Sequence, residues 1–234
     1  MKSRLIFPAL LLAAITLAAQ STSEVAITAE PHHHLLLENE QVRVWLAEVA
    51  PNDATLLHRH NHDYVFVSLG ETNVQNEVEG KPPAILKMQD GEARFAKGGF
   101  AHIARDLAST PFRAIAVEIM QDEAAHKTPP PAWDEDRALH VFPGGTQHIM
   151  FVEDGVRVSE LELQPGGTIP SHHHTGPHLV VAVTDLDFRS DREGEAPRPI
   201  QIKSGDVKWV PGGFTHTVTN TGKQEAKFVT LEFH

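Results

Sequence analysis

Residues 166–185 read GGTIPSHHHTGPHLVVAVTD and contain four histidines within seven positions. In an extended strand successive side chains point to opposite faces, so His172 and His174 share a face and the histidine between them points away. Two imidazoles at this spacing can bind one ion, and further ligands must come from neighbouring strands. The candidates are His178, at the start of an apolar run, and His216, just after a PGG turn. The pattern predicts a metal site built from four histidines.

The chain carries this pattern twice, at a constant offset of 114 residues. The matched pairs are His58 with His172, His60 with His174, His102 with His216, Val42-Arg43-Val44 with Val156-Arg157-Val158, Gly91 with Gly205, Gly99 with Gly213, and Phe100 with Phe214. A repeat of this length indicates two copies of one domain.

Both copies end in alternating sequences. Ile115, Val117 and Ile119 alternate with Ala116 and Glu118, and the last residues of the chain repeat the pattern. A period of two indicates strands buried on one face, and Gly- and Pro-rich turns separate them. No long helical period is present. The sequence therefore predicts an all-β protein of two tandem domains.

The ends and the middle of the chain set the domain boundaries. Lys2 and Arg4 precede an apolar run that is too short to span a bilayer and ends in small residues, so residues 1–19 are predicted to be a signal peptide. A buried helix or an uncleaved anchor is the alternative. Three consecutive prolines mark a linker over residues 123–138, between an N-terminal domain at 31–122 and a C-terminal domain at 139–234.

The net charge and the absence of cysteine limit the kinds of partner that we expect. The formal charge of −11 becomes −13 once Lys2 and Arg4 are removed, which argues against nucleic acid as a partner. There is no cysteine, so the exported chain has neither disulfides nor a lipidated N-terminal cysteine. We expect a periplasmic or secreted protein without stable membrane association, whose partner is a small-molecule substrate or ligand. A homo-oligomer is left open.

Two stretches of the second copy resemble the motifs of the cupin superfamily, G-x5-H-x-H-x3-E-x6-G and G-x5-P-x-G-x2-H-x3-N. The matching residues are Gly166, His172 and His174 in the first motif and Gly205, Pro211, Gly213, His216 and Asn220 in the second. His178 stands where the family has glutamate, and Asp185 where it has glycine. The first departure keeps a ligand, and the second is compatible with a turn, because aspartate adopts turn geometry readily.

The first copy fits the motifs more loosely. Asn52 replaces the leading glycine, Lys97 the proline and Asp106 the asparagine. The fourth ligand position is ambiguous. The offset of 114 places Tyr64 there, whereas counting back from the closing glycine places Asp63 there, and a carboxylate is the more common family ligand.

The resemblance implies a bicupin, two jelly-roll barrels in tandem, with one or two divalent transition metal ions. The implied ligands are His172, His174, His178 and His216 in the C-terminal barrel, and His58, His60, His102 and Asp63, with Tyr64 as the alternative to Asp63, in the N-terminal barrel. Fe, Cu, Ni, Zn and Mn all remain candidates. The expected function is that of a dioxygenase-type enzyme acting on a small anionic or enolisable substrate, with a non-catalytic binding protein as the alternative. No catalytic base is assigned.

Three other features receive non-catalytic interpretations. Arg43 and Arg157 lie between valines and are interpreted as solvated surface residues. Residues 187–199 are polar and Pro-rich and are interpreted as a loop. The run of histidines at 32–34 lies near the predicted mature N-terminus and is given no specific role.

Overall fold

The computed structural model describes residues 23–120 and 139–233, which form two β-barrels. The predicted signal peptide and the predicted linker at 123–138 lie outside the described residues. Among the described residues, no helix is long and apolar enough to cross a membrane. The predicted all-β tandem duplication is confirmed.

The N-terminal barrel consists of two five-stranded sheets. Its strands are β1 (Val25–Ala26), β2 (His33–Glu38), β3 (Val42–Val49), β4 (His58–Arg59), β5 (Tyr64–Ser68), β6 (Thr72–Val78), β7 (Ala84–Met88), β8 (Ala93–Ala96), β9 (Ala101–Asp106) and β10 (Phe112–Ile119). A 3-10 helix, η1 (Ile27–Ala29), follows β1. The sheet orders are β1-β4-β9-β6-β7 and β2-β3-β10-β5-β8.

The C-terminal barrel consists of a six-stranded and a four-stranded sheet. Its strands are β11 (Leu139–Phe142), β12 (Gly145–Glu153), β13 (Val156–Leu163), β14 (Thr168–His174), β15 (His178–Ala182), β16 (Leu186–Arg192), β17 (Arg198–Ile202), β18 (Val207–Val210), β19 (Phe214–Asn220) and β20 (Ala226–Phe233). The sheet orders are β11-β12-β13-β20-β15-β18 and β14-β19-β16-β17. From β2 to β10, each N-terminal strand has a counterpart displaced by 114 residues, so the repeat contains no gap within its strands.

The alternating strands are buried on both faces rather than on one. Val117 and Leu231 belong to a single apolar cluster that joins the two barrels, and both are fully buried. The polar residues that alternate with these apolar residues along each strand point the other way, into the barrels. Glu118, for example, is 1% exposed. The apolar face of each repeat therefore forms the interface between the barrels, and the polar face lines the barrel interior.

Residues 187–199 are not a loop, contrary to the sequence interpretation. Most of them belong to β16 and β17, which pair with each other around a short turn. The polar composition was misleading, because it comes from charged residues that face outward. Leu186, Phe188 and Ser190 alternate with them and point inward. The alternation, rather than the polarity, determines the structure here.

The turn before the first histidine pair needs a left-handed backbone in both copies. Gly166 has a φ of 78°, and Asn52, its counterpart, has a φ of 63°. Asparagine adopts this conformation more readily than other residues with a side chain, so the substitution leaves the turn intact.

Candidate metal centres

Three histidines of the C-terminal barrel point their Nε2 atoms at a common point. His172 and His174 lie on β14, and His216 lies opposite His172 on the antiparallel neighbour β19. The Nε2 atom of His174 is 3.0 Å from that of His172 and 3.1 Å from that of His216, and the third side of the triangle is 3.1 Å. The strand pairing therefore assembles the triangle.

The other ring nitrogen of each histidine has its own partner. His172 Nδ1 donates to the carbonyl oxygen of Pro170 at 2.8 Å, which leaves a lone pair on Nε2. His216 Nδ1 is 2.8 Å from Ser190 Oγ, and His174 Nδ1 is 3.5 Å from Glu232 Oε1. Contacts of this kind orient the imidazoles of metal sites.

The size of the triangle fits a divalent transition metal ion. Nitrogens about 2.1 Å from one ion lie about 3.0 Å apart when the bonds are at right angles and about 3.4 Å apart in a tetrahedron. The observed sides match the first arrangement, in which three nitrogens occupy one face of the ion. Such an arrangement leaves positions open on the opposite side.

His178 does not join the triangle in this structure. Its ring stacks on that of His174, with centroids 3.9 Å apart and an interplanar angle of 19°. Among the described residues of this barrel, the group whose ligand atoms all lie within 4.8 Å of one another consists of His172, His174 and His216. The Nδ1 atom of His178 is buried and has no hydrogen-bond partner among the described residues, so its role as a fourth ligand stays a prediction.

Burial lowers the pKa of three histidines at this site, His172, His178 and His216. Desolvation, followed by the charge of His174, lowers the pKa of His178 to about 3, and desolvation, followed by His172, lowers that of His216 to about 3. The pKa of His172 is also lowered, again chiefly by burial. Neutral imidazole is the form that binds metal, so His172 and His216 need no deprotonation near pH 7.

The triangle faces a cavity of about 590 Å³ inside the C-terminal barrel. Much of its wall is apolar, including Phe142, Ile169, Val180 and Phe228. A cavity of this volume accommodates a small organic molecule.

Arg157 lies inside the barrel, so its interpretation as a solvated surface residue is wrong. It lines the cavity and binds Glu232, with Nε at 2.6 Å and NH2 at 2.5 Å from Oε2. Burial acts to raise the pKa of Glu232, but His174 and Arg157 outweigh it and lower that pKa. Arg43, its counterpart, is partly exposed. It forms an ion pair with Glu38 at 2.5 Å and lies 3.9 Å from the buried Glu118.

Arg192 is a second cation of the cavity that the sequence analysis missed. It lies opposite His216 on β16, and its guanidinium is 3.6 Å from the centroid of the Phe214 ring. Its Nε is buried and has no hydrogen-bond partner among the described residues, while its Nη1 lies 4.0 Å from Glu195 Oε1. Phe214 itself packs edge-on against His216, with centroids 4.9 Å apart.

A second histidine cluster lies inside the N-terminal barrel. The ligand atoms of His33, His58 and His60 lie within 4.8 Å of one another. His102 is next to them, with its ring centroid 4.5 Å from that of His58. Desolvation and then the charge of His33 lower the pKa of His58 to about 4.

Asp63 lies outside this cluster, which corrects the sequence prediction. Its carboxylate accepts from Lys97 Nζ at 2.6 Å and from the Gly98 amide at 2.8 Å, so it holds a surface turn. Tyr64 occupies the position equivalent to His178 and stacks on His60, with centroids 4.3 Å apart. Burial raises the pKa of Tyr64, so its hydroxyl stays protonated. The structure brings His33 to the cluster instead.

The N-terminal barrel is closed by the segment before its second strand. Ile27 packs with Trp45, Tyr64 and Ala116 in the barrel interior, and Glu30, in the same segment as Ile27, is 2% exposed. The position of His33 in the first repeat is taken by Gln147 in the second, and Gln147 lines the open C-terminal cavity. The offset of 114 applied to residues 32–34 could have drawn attention to this difference.

Comparisons with known proteins bear on the fold. No protein-family profile matches the sequence, and no curated protein is similar to it. In structure, the chain is similar to the oxalate decarboxylase of Bacillus subtilis, studied for its Mn(II) centres, with a TM-score of 0.60 and 14% identity over 86% of this chain and 76% of that chain. It is also similar to the formate complex of Lactobacillus farciminis oxalate decarboxylase, with a TM-score of 0.61 and 14% identity over 85% and 83% of the two chains. At this identity the similarity concerns the arrangement of the strands.

Proposed function

Because the chain is a bicupin in fold, with histidines suited to a metal ion in each barrel, we propose that its C-terminal barrel is the active site of a metal-dependent enzyme acting on a small anionic substrate. The observation that carries the proposal is the triangle of His172, His174 and His216, whose Nε2 atoms are 3.0 to 3.1 Å apart at the wall of a cavity of about 590 Å³. An ion held on one side by three nitrogens is open to a ligand on its other side.

The charge of the site selects an anion. Three neutral imidazoles leave the ion its full charge, since no described carboxylate belongs to the triangle. Arg192 adds a guanidinium whose buried Nε has no hydrogen-bond partner among the described residues, and Phe214 fixes its plane. We infer that Arg192 binds a carboxylate of the substrate, because a guanidinium suits planar oxyanions.

The remaining residues position and enclose the substrate. Glu232 and Ser190 contact the Nδ1 atoms of His174 and His216 and fix their ring orientation, and Arg157 fixes Glu232 in turn. Apolar side chains line much of the cavity and exclude water from a bound substrate. The bound ion would act as a Lewis acid and, if redox-active, would support chemistry with oxygen.

The leading reaction is oxidative cleavage of an enolisable acid, in which both atoms of O2 enter the products. Arg192 and the His triangle lie on the neighbouring strands β16, β14 and β19, so one small substrate can contact the guanidinium and the ion together. Decarboxylation is the second candidate, and the structural similarity to oxalate decarboxylases favours it.

Metal reconstitution with a double readout tests the proposal. Mature protein, loaded separately with Fe, Mn, Ni, Cu or Zn, is given small keto and enol acids and oxalate while O2 uptake and CO2 release are recorded. O2 uptake with substrate supports the dioxygenase, and CO2 release without net O2 uptake supports the decarboxylase. Binding without turnover of any acid would make the barrel a non-catalytic binding protein.

A pair of arginine variants tests the anion site. Arg192→Gln removes the charge at the cavity, whereas Arg189→Gln removes an exposed arginine of the same strand. Loss of a charge-assisted contact of about 1.5–3 kcal/mol predicts a KM raised roughly 10- to 100-fold in Arg192→Gln only. An unchanged KM in Arg192→Gln would remove this residue from the substrate site.

We also propose that the protein is exported and acts in the periplasm or outside the cell. The basic and apolar start of the chain supports this, because it has the features of a cleaved signal. N-terminal sequencing of the protein from a periplasmic or culture fraction is expected to begin after Ala18 or Ala19. Recovery of the uncleaved chain from the cytoplasm would contradict export.

A further inference from the structure

We propose that the N-terminal barrel holds a structural metal ion in a closed site of four histidines, and that this ion fastens residues 25–33 across the barrel. The ligand atoms of His33, His58 and His60 already converge, and His102, whose ring centroid lies 4.5 Å from that of His58, would complete the set when the ion binds. His33 is the unexpected member, since it comes from β2, whereas His58 and His60 lie on and just after β4 and His102 lies on β9. The proposal is independent of any reaction in the C-terminal barrel.

The nitrogens of these rings are prepared for a ligand. The Nδ1 atoms of His58 and His102 lie 2.8 Å from Leu56 O and Asn76 Oδ1, which are acceptors, so both rings present a lone pair at Nε2. Both Nε2 atoms are buried and have no hydrogen-bond partner in the part of the chain that the structure describes. Leaving such nitrogens unsatisfied is unfavourable, and an ion between them would satisfy both.

His33 is oriented in the same way, by a buried acid. Its Nδ1 donates to Glu30 Oε2 at 2.6 Å, and its ring centroid lies 4.6 Å from that of His58 and 5.6 Å from that of His60. Glu30 also accepts from the Leu56 amide at 3.0 Å and from the His32 ring at 2.9 Å. A carboxylate–histidine pair pointing at other imidazoles is a common arrangement around a bound metal.

The burial of Glu30 supports a cation in this position. Its side chain is fully buried, and its oxygens accept hydrogen bonds from the His33 and His32 rings and from the Leu56 amide. A buried carboxylate needs nearby positive charge, and among its hydrogen-bonding partners only the histidines can carry any. A divalent ion bound through His33 would supply that charge without protonating a ring.

The closed surroundings distinguish this site from the C-terminal one. Ile27 and Trp45 fill the barrel interior beside it, whereas the second repeat has a cavity and a glutamine, Gln147, at the position of His33. Four nitrogen donors complete a tetrahedral ion and leave no position for substrate. Zinc is the ion that this donor set and closure favour.

The experiment compares two adjacent histidines that share Glu30. His33→Gln introduces the residue of the second repeat, and His32→Gln is the matched control, because His32 also bonds Glu30 but is absent from the cluster. All chains carry His172→Ala, so that bound zinc reports the N-terminal barrel. Zinc affinity is measured by chelator competition, and amide hydrogen exchange of residues 25–38 is measured with and without zinc.

The parent and His32→Gln are expected to bind one zinc and to slow exchange in residues 25–38 when zinc is added. Removal of a residue that only orients a ligand lowers metal affinity roughly 10- to 100-fold. His33→Gln is expected to lower zinc affinity by more than this and to abolish the zinc-dependent protection from exchange. Cooperative unfolding of each metal-free variant shows that it is folded. Co(II) in the parent is expected to give the strong visible absorption of a tetrahedral site.

Two results would overturn the proposal. If His33→Gln keeps the parent's zinc affinity and protection, His33 is not a ligand. If the folded parent binds no zinc and no Co(II), the cluster is a set of packed histidines without an ion.

Discussion

Tyr64 and His178 occupy the same position in the two barrels, and each stacks on the second histidine of its repeat, at 4.3 Å from His60 and 3.9 Å from His174. This is the position at which the cupin motif has its carboxylate ligand. Tyrosine in one copy and a stacked histidine in the other suggest that the position now supports the neighbouring ligand through packing. In the C-terminal barrel, the ion would then be bound by the three histidines of the triangle.

His178→Phe tests this interpretation. Phenylalanine preserves an aromatic ring against His174 but removes both ring nitrogens, so the C-terminal barrel is expected to retain its metal. His172→Ala, which removes one corner of the Nε2 triangle, is expected to lose it. Elemental analysis of the purified proteins provides the measurement. Loss of the C-terminal metal from His178→Phe would restore the four-histidine set predicted from the sequence.

The sequence predicted the fold well because the fold depends on repeated local patterns. The offset of 114 residues and the alternation at Ile115 to Ile119 are periodic signals, and the gap-free strands of the repeat preserve them. The alternation also placed His172 and His174 on one face. The alternation could not show which face points into the barrel, because the apolar residues pack against the other barrel instead.

The same ambiguity explains the missed site residues. Arg157 lies between two valines, and valines in a strand were expected to face the barrel interior. They instead pack in the interface between the barrels, so Arg157 points inward. Asp63 was chosen for its chemistry over Tyr64, although the offset pointed to Tyr64. His33 lies far from the motifs, so only the folded chain brings its ring next to His58.

Asp63→Asn is expected to leave the metal content unchanged. The carboxylate of Asp63 accepts from Lys97 and from the Gly98 amide, so the substitution weakens a turn. Loss of a charged acceptor predicts a decrease of about 1–2 kcal/mol in the free energy of unfolding. Urea unfolding and elemental analysis measure the two quantities. A loss of one metal equivalent without loss of the fold would return Asp63 to the ligand set.

Glu232→Gln is expected to weaken metal binding in the C-terminal barrel without abolishing it. Glu232 contacts His174 Nδ1 at 3.5 Å and is held by Arg157, so it orients the ligand without belonging to the triangle. Removal of such a partner costs roughly 10- to 100-fold in metal affinity. Chelator competition measures this change, with the exposed Glu193→Gln as the control. Equal affinities in the two variants would show that Glu232 does not orient His174.

Leu231→Ala tests the interface between the barrels. Leu231 is fully buried in the cluster that contains residues of both repeats. Removing a buried leucine side chain costs about 2–5 kcal/mol, and the shared cluster should spread that loss over both barrels. Urea unfolding followed by hydrogen exchange is expected to show both barrels destabilised together. Destabilisation confined to the C-terminal strands would mean that the barrels fold independently.

The metal-free protein is expected to lose stability as the pH falls from 7 to 5. Burial lowers the pKa of His58 to about 4 and that of His178 to about 3, whereas an unfolded histidine titrates near pH 6.5. Between these values the unfolded chain binds protons that the folded chain does not, so the free energy of unfolding decreases with falling pH. Each such histidine contributes up to about 1.4 kcal/mol per pH unit below 6.5. Urea unfolding in a chelator at pH 7, 6 and 5 measures the slope of the free energy of unfolding against pH. In His178→Phe this slope should be smaller by the contribution of one histidine, because one fewer proton binds on unfolding. The same slope in both chains would mean that His178 is protonated in the folded state, which would contradict its burial as a neutral ring.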